Sequence, residues 1–445
     1  MSSQIQSSGQ GAVAATAPRT PWKEVTAASI GNALEFYDLV IYAYFAVVLA
    51  KLFFPTANPT VSLMLAFANF AISFVMRPFG AIVLGSYADR AGRKKSLTLS
   101  ITLIIVGTAM LVFAPTYAQI GLASPLIVLV ARLLQGFSTG GEFGSSTAFM
   151  IEYATAGRRG YYASWQASTQ GLSTVMAAGL AALLSYLLTP EQVSAWGWRL
   201  AFGVGLLMGP LGLYIRSQID ETPEFRKAAA VGVEKSPLLT VLSRDGLYLL
   251  LGIGVVAGNT AFNYVHKVYM PTYAVTQLHL PATSSYLGAF VAGLAAMITG
   301  PIFGALSDRY GRFRVLAFAL PAVVVTTYPL FLMLNTWPSL PVLIAVQALV
   351  GLQIASCLGP ISALLGEIFP TGTRGIGMAL SYNVSVTLFG GLAPLIATAM
   401  IAASGNKLAP SFYVIATGLI SIIAIAPLAF GKAGLAVTSP AALRR

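Results

Sequence analysis

Charge is what this sequence has least of. Only 9% of its 445 residues are Asp, Glu, Lys or Arg, against about a quarter in a soluble protein. Histidine occurs twice and cysteine once. A lone thiol excludes an internal disulfide framework, and Cys357, inside an apolar run, reads as a packed residue. The two histidines and the cysteine stand apart, so no metal constellation is expected. No GxxxxGK[ST] phosphate loop is present, so nothing points to direct drive by ATP. A nucleophile–base cluster is also lacking, which argues against an integral-membrane enzyme. The first 27 residues are polar and lack the short apolar core of a cleavable signal. They read as a cytoplasmic tail.

What is present is apolar. Hydrophobic residues make up 56% of the chain and its mean hydropathy is +0.77. Lipid is therefore the solvent for most of it. Apolar runs near 28–50, 62–86, 97–115, 121–147, 161–188, 197–216, 247–270, 283–306, 314–334, 339–365, 375–402 and 411–431 predict twelve spanning helices. The net charge of +12 raises the question of nucleic acid. Its placement answers no: 20 of the 26 Lys and Arg fall on one side of the predicted topology, in short loops and tails. Both termini are then expected in the cytoplasm. The expected organisation is a tail (1–27), a six-helix bundle (28–216), a cytoplasmic linker (217–246), a second bundle (247–431) and a C-terminal tail (432–445).

The halves repeat each other. Gly85-Ser-Tyr-Ala-Asp89-Arg90-Ala-Gly92-Arg93 returns as Gly304-Ala-Leu-Ser-Asp308-Arg309-Tyr-Gly311-Arg312, displaced by 219 positions. Glu152…Gly157-Arg-Arg-Gly160 returns as Glu367…Gly372-Thr-Arg-Gly375, displaced by 215. Near-constant shifts imply a duplicated architecture. Within the motif, Gly85 and Gly304 suit close helix packing, and Gly92 and Gly311 relax a tight turn. Asp89 and Asp308 can accept hydrogen bonds from helix ends or pair with a neighbouring Arg. A plain topology signal would explain the cations but not the shared Gly and Asp spacing. The motif resembles the loop signature of the major facilitator superfamily, found between helices 2 and 3 and again between helices 8 and 9.

Ionisable residues inside spanning helices are expensive and so are functional candidates. In the first run, Asn32, Glu35, Asp38 and Tyr42 recur at steps of three or four and share one broad face. Two acids one turn apart repel when both are ionised, so one is expected to hold its proton, which suits a proton carrier. The alternative is a fixed ion pair between one acid and Arg77 of the second run. In the fourth run Arg132, Gln135 and Glu142 form a second stripe. Arg132 lies near the midplane and needs an anion, either an internal acid or the substrate. Glu142 is a further proton site or a gating partner. Weaker polar candidates for substrate contact are Gln166 and Gln170, Asn263 and Lys267, and Tyr382 and Asn383. Lys267 either attracts an anion near the outer mouth or snorkels to the interface. His266 either titrates or is a hydrogen-bonded structural residue.

Further segments narrow the resemblance. Gly31-Asn-Ala-Leu-Glu-Phe-Tyr-Asp38, Met76-Arg-Pro-Phe-Gly80, Arg132-Leu-Leu-Gln-Gly136 and Trp196-Gly-Trp-Arg199 resemble the metabolite:proton symporter family. Leu84 to Trp198 and Phe389-Gly-Gly-Leu-Ala-Pro394 look most like its citrate–proton symporters. The resemblance implies an all-α membrane protein of twelve helices in two six-helix bundles. It also implies alternating access and proton coupling in a bacterial inner membrane, with no cofactor beyond the proton gradient. The expected partners are protons, a small carboxylate and the bilayer, with the protein acting as a monomer. Gating roles would fall on Arg77, Gly85, Asp89, Arg90, Gly92 and Arg93, and on Asp308, Arg309, Gly311 and Arg312. One departure is the His266-Lys267 pair, where an uncharged aromatic/Thr pattern is expected. The extra positive charge favours an anionic substrate. A zwitterionic osmolyte such as proline or betaine, shikimate, or an exported drug remain the alternatives.

Overall fold

The computed structural model describes residues 22–91, 93–140, 150, 154, 157–217, 237–370 and 373–429. Side chains of residues 22–31, 88–91, 93, 94, 97, 211, 215–217, 237 and 238 are outside that description. Glu142 and Gly92, and the side chains of Asp89, Arg90 and Arg93, therefore lie outside the described residues, as do most of the two tails and the linker.

The described chain forms twelve long helical segments. They are α1 (Trp22–Tyr44, continued by Ala46–Phe53), α2 (Pro59–Ala91), α3 (Arg93–Val112), α4 (Ala123–Gly140), α5 (Trp165–Leu187) and α6 (Trp198–Ser217). The second half holds α7 (Gly246–Asn263, continued to Thr276), α8 (Ala282–Tyr310), α9 (Arg312–Thr336), α10 (Leu340–Ile368), α11 (Arg374–Ser385, continued by Ala393–Ser404) and α12 (Ala409–Ala429). Nine of these are long and apolar enough to cross a membrane unaided among the described residues, and the bent α1 makes a tenth. The shorter apolar α3 and the helix α6 complete the count by packing against each other.

Several helices are not the straight rods that hydropathy suggests. α1 bends by 67° at Phe45. Wider π-helical turns interrupt α7 at Tyr264–Tyr269 and α11 at Val386–Gly391. α7 also runs on to Thr276, beyond its expected end at 270, because the widened turn keeps the axis continuous through His266 and Lys267. π-turns leave backbone groups displaced and recur at functional positions.

Two bundles follow from who packs with whom. In the first half α2 packs on α4, α3 on α4 and α6, and α1 on α5. In the second half the equivalent pairs recur: α8 on α10, α9 on α10 and α12, and α7 on α11. Glycines make the central pair close in each half. A Cβ at Gly136 would stand 1.8 Å from the Ser73 carbonyl, and one at Gly140 would stand 1.9 Å from that of Arg77. In the second half a Cβ at Gly351 would stand 2.3 Å from the Ala292 carbonyl. Ser73 and Ala292 are 219 positions apart and Gly136 and Gly351 are 215 apart, the same two shifts as in the loop motifs. The backbone crossing is thus duplicated along with the loops.

The halves meet along α5 with α8 and along α2 with α11. At the motif end, the Asp308 carboxylate accepts hydrogen bonds from the backbone N–H groups of Gly160 and Tyr161, both at 2.8 Å. Arg312 donates to Asp308 at 2.7 Å and pairs with Glu367 at 3.1 Å. An acid from one half therefore receives two donors from the other and is held by an arginine of its own half. Gly311, with φ +94°, makes the turn between α8 and α9 in a conformation that favours glycine. Arg309 turns away from this network, with its guanidinium 5.3 Å from the Tyr310 ring. The two motif glycines differ. A Cβ at Gly304 would stand 2.5 Å from the Gly160 carbonyl, whereas one at Gly85 meets nothing among the described residues. The expectation of close packing at Gly85 is corrected accordingly: no described helix of the other half approaches it as the Gly160 turn approaches Gly304.

Two outcomes follow. Gly136→Ala forces α2 and α4 apart, so it should lower stability in detergent by about 1–3 kcal/mol, the usual cost of overpacking, while Gly85→Ala stays near wild type. Thermal unfolding of the two variants checks this. Asp308→Asn should speed amide exchange at Gly160 and Tyr161 by about tenfold, as expected when a hydrogen bond to a charged group is lost; unchanged exchange would remove the cross-half role of Asp308.

Candidate functional site

The buried ionisable groups of the first half converge where α1, α2 and α4 meet. Each has a different arrangement of partners. Glu35 pairs with Arg77 at 3.5 Å, and the Arg77 guanidinium lies 4.2 Å from the centre of the Phe74 ring. Asp38 accepts from the hydroxyl of Thr108 on α3 and, at 3.3 Å, from the side-chain amide of Gln135. Arg132 donates to the Gln135 amide oxygen at 2.8 Å and to the Ser73 hydroxyl at 3.1 Å. Its guanidinium also lies over the Tyr42 ring, 4.5 Å from the centre. Tyr42 is anchored in turn by donating to the Ala66 carbonyl at 3.2 Å.

The shared face of α1 is therefore divided among neighbours. Asn32 donates to Thr169 of α5 at 2.6 Å. Glu35 faces α2, Asp38 faces α3 and α4, and Tyr42 faces the Arg132 guanidinium. The fixed pair with Arg77 falls to Glu35 rather than Asp38. Arg132 has no direct carboxylate partner among the described residues; Gln135 stands between it and Asp38 and bonds to both. Gln135 also donates to Thr108 at 3.0 Å, so one amide ties α1, α3 and α4 together. Ser73 and Thr108 contribute as well, and sequence alone does not single them out. Both are small hydroxyl residues in apolar helices, and only their proximity to Arg132 and Asp38 marks them.

A cavity of about 20 Å3 lies among these groups, lined by Glu35, Asp38, Arg77, Arg132 and Gln135. It has room for about one water molecule. Polar atoms around it are still unused. Arg132 Nε, Arg77 Nε and Asp38 Oδ1 have no hydrogen-bond partner among the described residues. A Cβ at Gly205 of α6 would stand 2.6 Å from Asp38 Oδ1, so a glycine at that position leaves space for this oxygen.

The second half faces this cluster with uncharged groups and one cation. The Phe74 ring packs edge-on against Tyr264, with centres 5.5 Å apart, and the Tyr264 hydroxyl and Asn263 Oδ1 are unpartnered among the described residues. Tyr382 is buried beside Gln170, within electrostatic reach of Arg77 and Glu35. Asn383 donates to the Gly140 carbonyl at 3.0 Å, which joins α11 to α4. Gln166 is fully buried on α5. Lys267 is buried, 1% exposed, with its ammonium 5.8 Å from the Phe36 ring centre. The snorkelling alternative fails, because the π-turn directs this side chain inward against α1. His266 points elsewhere, between Phe262 and Phe331 of its own bundle, and its Nδ1 lies 3.1 Å from the Phe262 carbonyl.

A larger cavity of about 560 Å3 opens at the end opposite the loop motifs, lined by Lys51, Thr60, Leu63, Tyr269, His279 and Thr398 among others. Between it and the buried cluster stand Phe67 and Tyr269, with ring centres 5.8 Å apart. Tyr44 and Tyr286 close the same end: Tyr286 donates to the Tyr44 carbonyl at 2.8 Å and Tyr44 to the Lys267 carbonyl at 3.3 Å. These contacts hold the two halves together at the end opposite the loop motifs.

Comparison with known proteins adds the lineage. The family model of the Major Facilitator Superfamily matches residues 29–338 and 291–442. A citrate-proton symporter of Klebsiella pneumoniae is 35% identical over 394 residues, covering 88% of each chain. One of Salmonella typhi is 36% identical, covering 89% of this chain and 92% of its own. A proline/betaine transporter of Escherichia coli is 31% identical, covering 90% of this chain and 82% of its own. Among solved structures, the xylose transporter of E. coli in a partially occluded inward-open conformation superposes with a TM-score of 0.72 at 16% identity, over 92% of this chain and 97% of that one. That likeness concerns the fold alone. With twelve helices in two repeated bundles and curated relatives above 30% identity over most of their length, the chain belongs to the major facilitator superfamily.

Proposed function

We propose that this protein is a proton-coupled symporter that imports an organic acid, citrate or a related di- or tricarboxylate such as tricarballylate or α-ketoglutarate. The observation that carries this reading is Gln135, whose one amide bonds to both Asp38 and Arg132. Such a bridge lets two buried charges sense each other without touching. Protonation of Asp38 withdraws the negative charge that steadies Arg132 through the amide. Arg132, with its unused Nε, then turns to the substrate carboxylate. Proton and anion binding thereby favour each other, as symport requires.

The relatives support the substrate class, since two of them carry the name citrate-proton symporter. The buried charges favour it too. Arg77, Arg132 and Lys267 are three cations against the two acids Glu35 and Asp38 among the described buried residues of the cluster. An anion suits that imbalance better than a zwitterion. A second reading, uptake of proline or betaine, draws on the 31% identical proline/betaine transporters. The loaded carrier rocks about the buried cluster. The contact of Asp308 with the Gly160 and Tyr161 backbone opens at one end and the Tyr44–Tyr286 contact at the other. The charge bias supports both termini on the cytoplasmic side of a bacterial inner membrane; the proposed carrier acts as a monomer and needs no cofactor beyond the proton gradient.

Purified protein in liposomes containing a pH dye tests the reading. Citrate, tricarballylate, α-ketoglutarate, shikimate and betaine are added one at a time. Lumenal acidification is expected with a di- or tricarboxylate, with Asp38→Asn reducing it at least tenfold. Acidification by betaine alone would transfer the assignment to osmolyte uptake.

A further inference from the structure

Lys267 poses a problem that the symport cycle as described does not solve. Its side chain is almost wholly buried, in the π-turn of α7, against α1. Its nearest described charge-stabilising contact is the face of Phe36 at 5.8 Å. No carboxylate forms an ion pair with it among the described residues. A cation taken out of water without a counter-ion is strongly destabilising, and a single ring face at that distance offsets only a small part of the cost. The other buried cations are better provided for. Arg77 has Glu35, and Arg132 has Gln135, Ser73, the Tyr42 ring and, through Gln135, Asp38.

Position gives the lysine a use. Tyr264, one turn earlier on the same π-turn, packs on Phe74 and lies within electrostatic reach of Arg77 and Arg132. Phe36, on which Lys267 rests, directly follows Glu35 in α1. The lysine thus stands in the second bundle against α1, the helix that carries Glu35 and Asp38. Its backbone carbonyl is held by the Tyr44 hydroxyl, and Gln347 of α10 holds the neighbouring His266 carbonyl at 2.9 Å. The turn that presents Lys267 is thus fixed from two sides, although its ammonium has no fixed anion.

We infer that Lys267 binds a second carboxylate of the substrate, so that the site selects acids carrying at least two carboxylates, one held by Arg132 in the first bundle and one by Lys267 in the second. This deepens the symport reading and rests on it. A monocarboxylate or a zwitterion leaves one of the two cations without its anion. Discrimination then comes from the penalty of the unmatched buried charge as much as from the attraction between lysine and carboxylate.

The experiment uses wild-type protein, Lys267→Gln and Lys267→Arg in liposomes. It compares tricarballylate with butyrate as competitors of radiolabelled citrate uptake, and measures thermal stability with and without tricarballylate. In wild type, tricarballylate should compete at concentrations at least tenfold below butyrate. Lys267→Gln should weaken tricarballylate by about 30-fold or more, the usual scale for truncating one partner of a buried charge pair, and erase most of the preference over butyrate. Its ligand-free stability should equal or exceed that of wild type, since an unmatched buried charge has gone. Lys267→Arg should restore most of the preference. If Lys267→Gln leaves tricarballylate within threefold of wild type, or weakens both competitors equally, or lowers ligand-free stability while the preference persists, the inference is overturned. Wild type that transports no carboxylate overturns the symport reading itself, and this outcome is seen before any variant is compared.

Discussion

A charge inside a lipid-embedded bundle must be matched, and the architecture of the first half can be derived from that requirement. Arg132 is buried at 2% exposure, where an unmatched guanidinium is not tolerable. Matching it needs α1, α2, α3 and α4 to approach one another closely enough for short polar side chains to reach. The approach is made possible by Gly136 and Gly140, which bring the α4 backbone against the Ser73 and Arg77 carbonyls. Ser73 is then near enough to accept from Arg132, and Gln135 near enough to hold Arg132 and Asp38 together. The glycines and the charges are one device: the first sets the distance that the second requires.

The same crossing exists in the second half without the charges. By the shifts of 219 and 215, the counterparts of Ser73, Arg77, Arg132 and Gln135 are Ala292, Ala296, Gln347 and Val350. Gln347 has taken a structural task, donating to the carbonyl of His266. Duplication thus preserved the packing skeleton, while the Glu35–Arg77 pair and the Asp38–Gln135–Arg132 bridge stand on one side only. On the symport reading, holding Asp38, Gln135 and Arg132 in one bundle keeps their mutual geometry fixed while the partner bundle moves. The second bundle carries the π-turns in α7 and α11, while the first bundle carries the bend in α1. Gly391, at the end of the α11 turn, leaves no room for a Cβ beside Phe74 of α2.

Much of this was readable in the chain because each legible feature leaves a one-dimensional trace. Spanning helices leave apolar runs, and duplicated halves leave constant shifts. Expensive buried charges stand out against 9% overall charge. What failed to show was direction. Glu35 and Asp38 sit one turn apart on one helix, and nothing in their spacing says that Arg77 takes the former while Gln135 and Thr108 take the latter. The π-turn in α7 has no sequence mark either, yet it decides that Lys267 enters the protein while His266 turns into the core of its own bundle. Gly85 and Gly304 are identical in the motif, but among the described residues only Gly304 meets backbone across the interface. Repetition in sequence records a common backbone plan, not equal occupancy of its contacts.

The contact made by Asp308 bears on how a carrier of this fold changes state. The Asp308 contact joins the halves through two backbone donors, and an arginine of its own half holds the carboxylate, all at hydrogen-bonding distance. Such a contact loses its strength steeply once its angle or spacing changes, so it acts more as a catch than as a spring. At the opposite end the closure is made by the rings of Tyr44, Tyr286, Phe67 and Tyr269, with two hydroxyl–carbonyl bonds. Ring contacts are weakly directional and can slide over a larger range before they are lost. The two ends of the path are therefore closed by different physics: a charged, short-range catch at the motif end and a compliant aromatic seal at the other. On the proposed symport reading, the aromatic end would relax by degrees as an anion enters, and the other end would release only once the bundles had moved far enough to break the Asp308 bonds together.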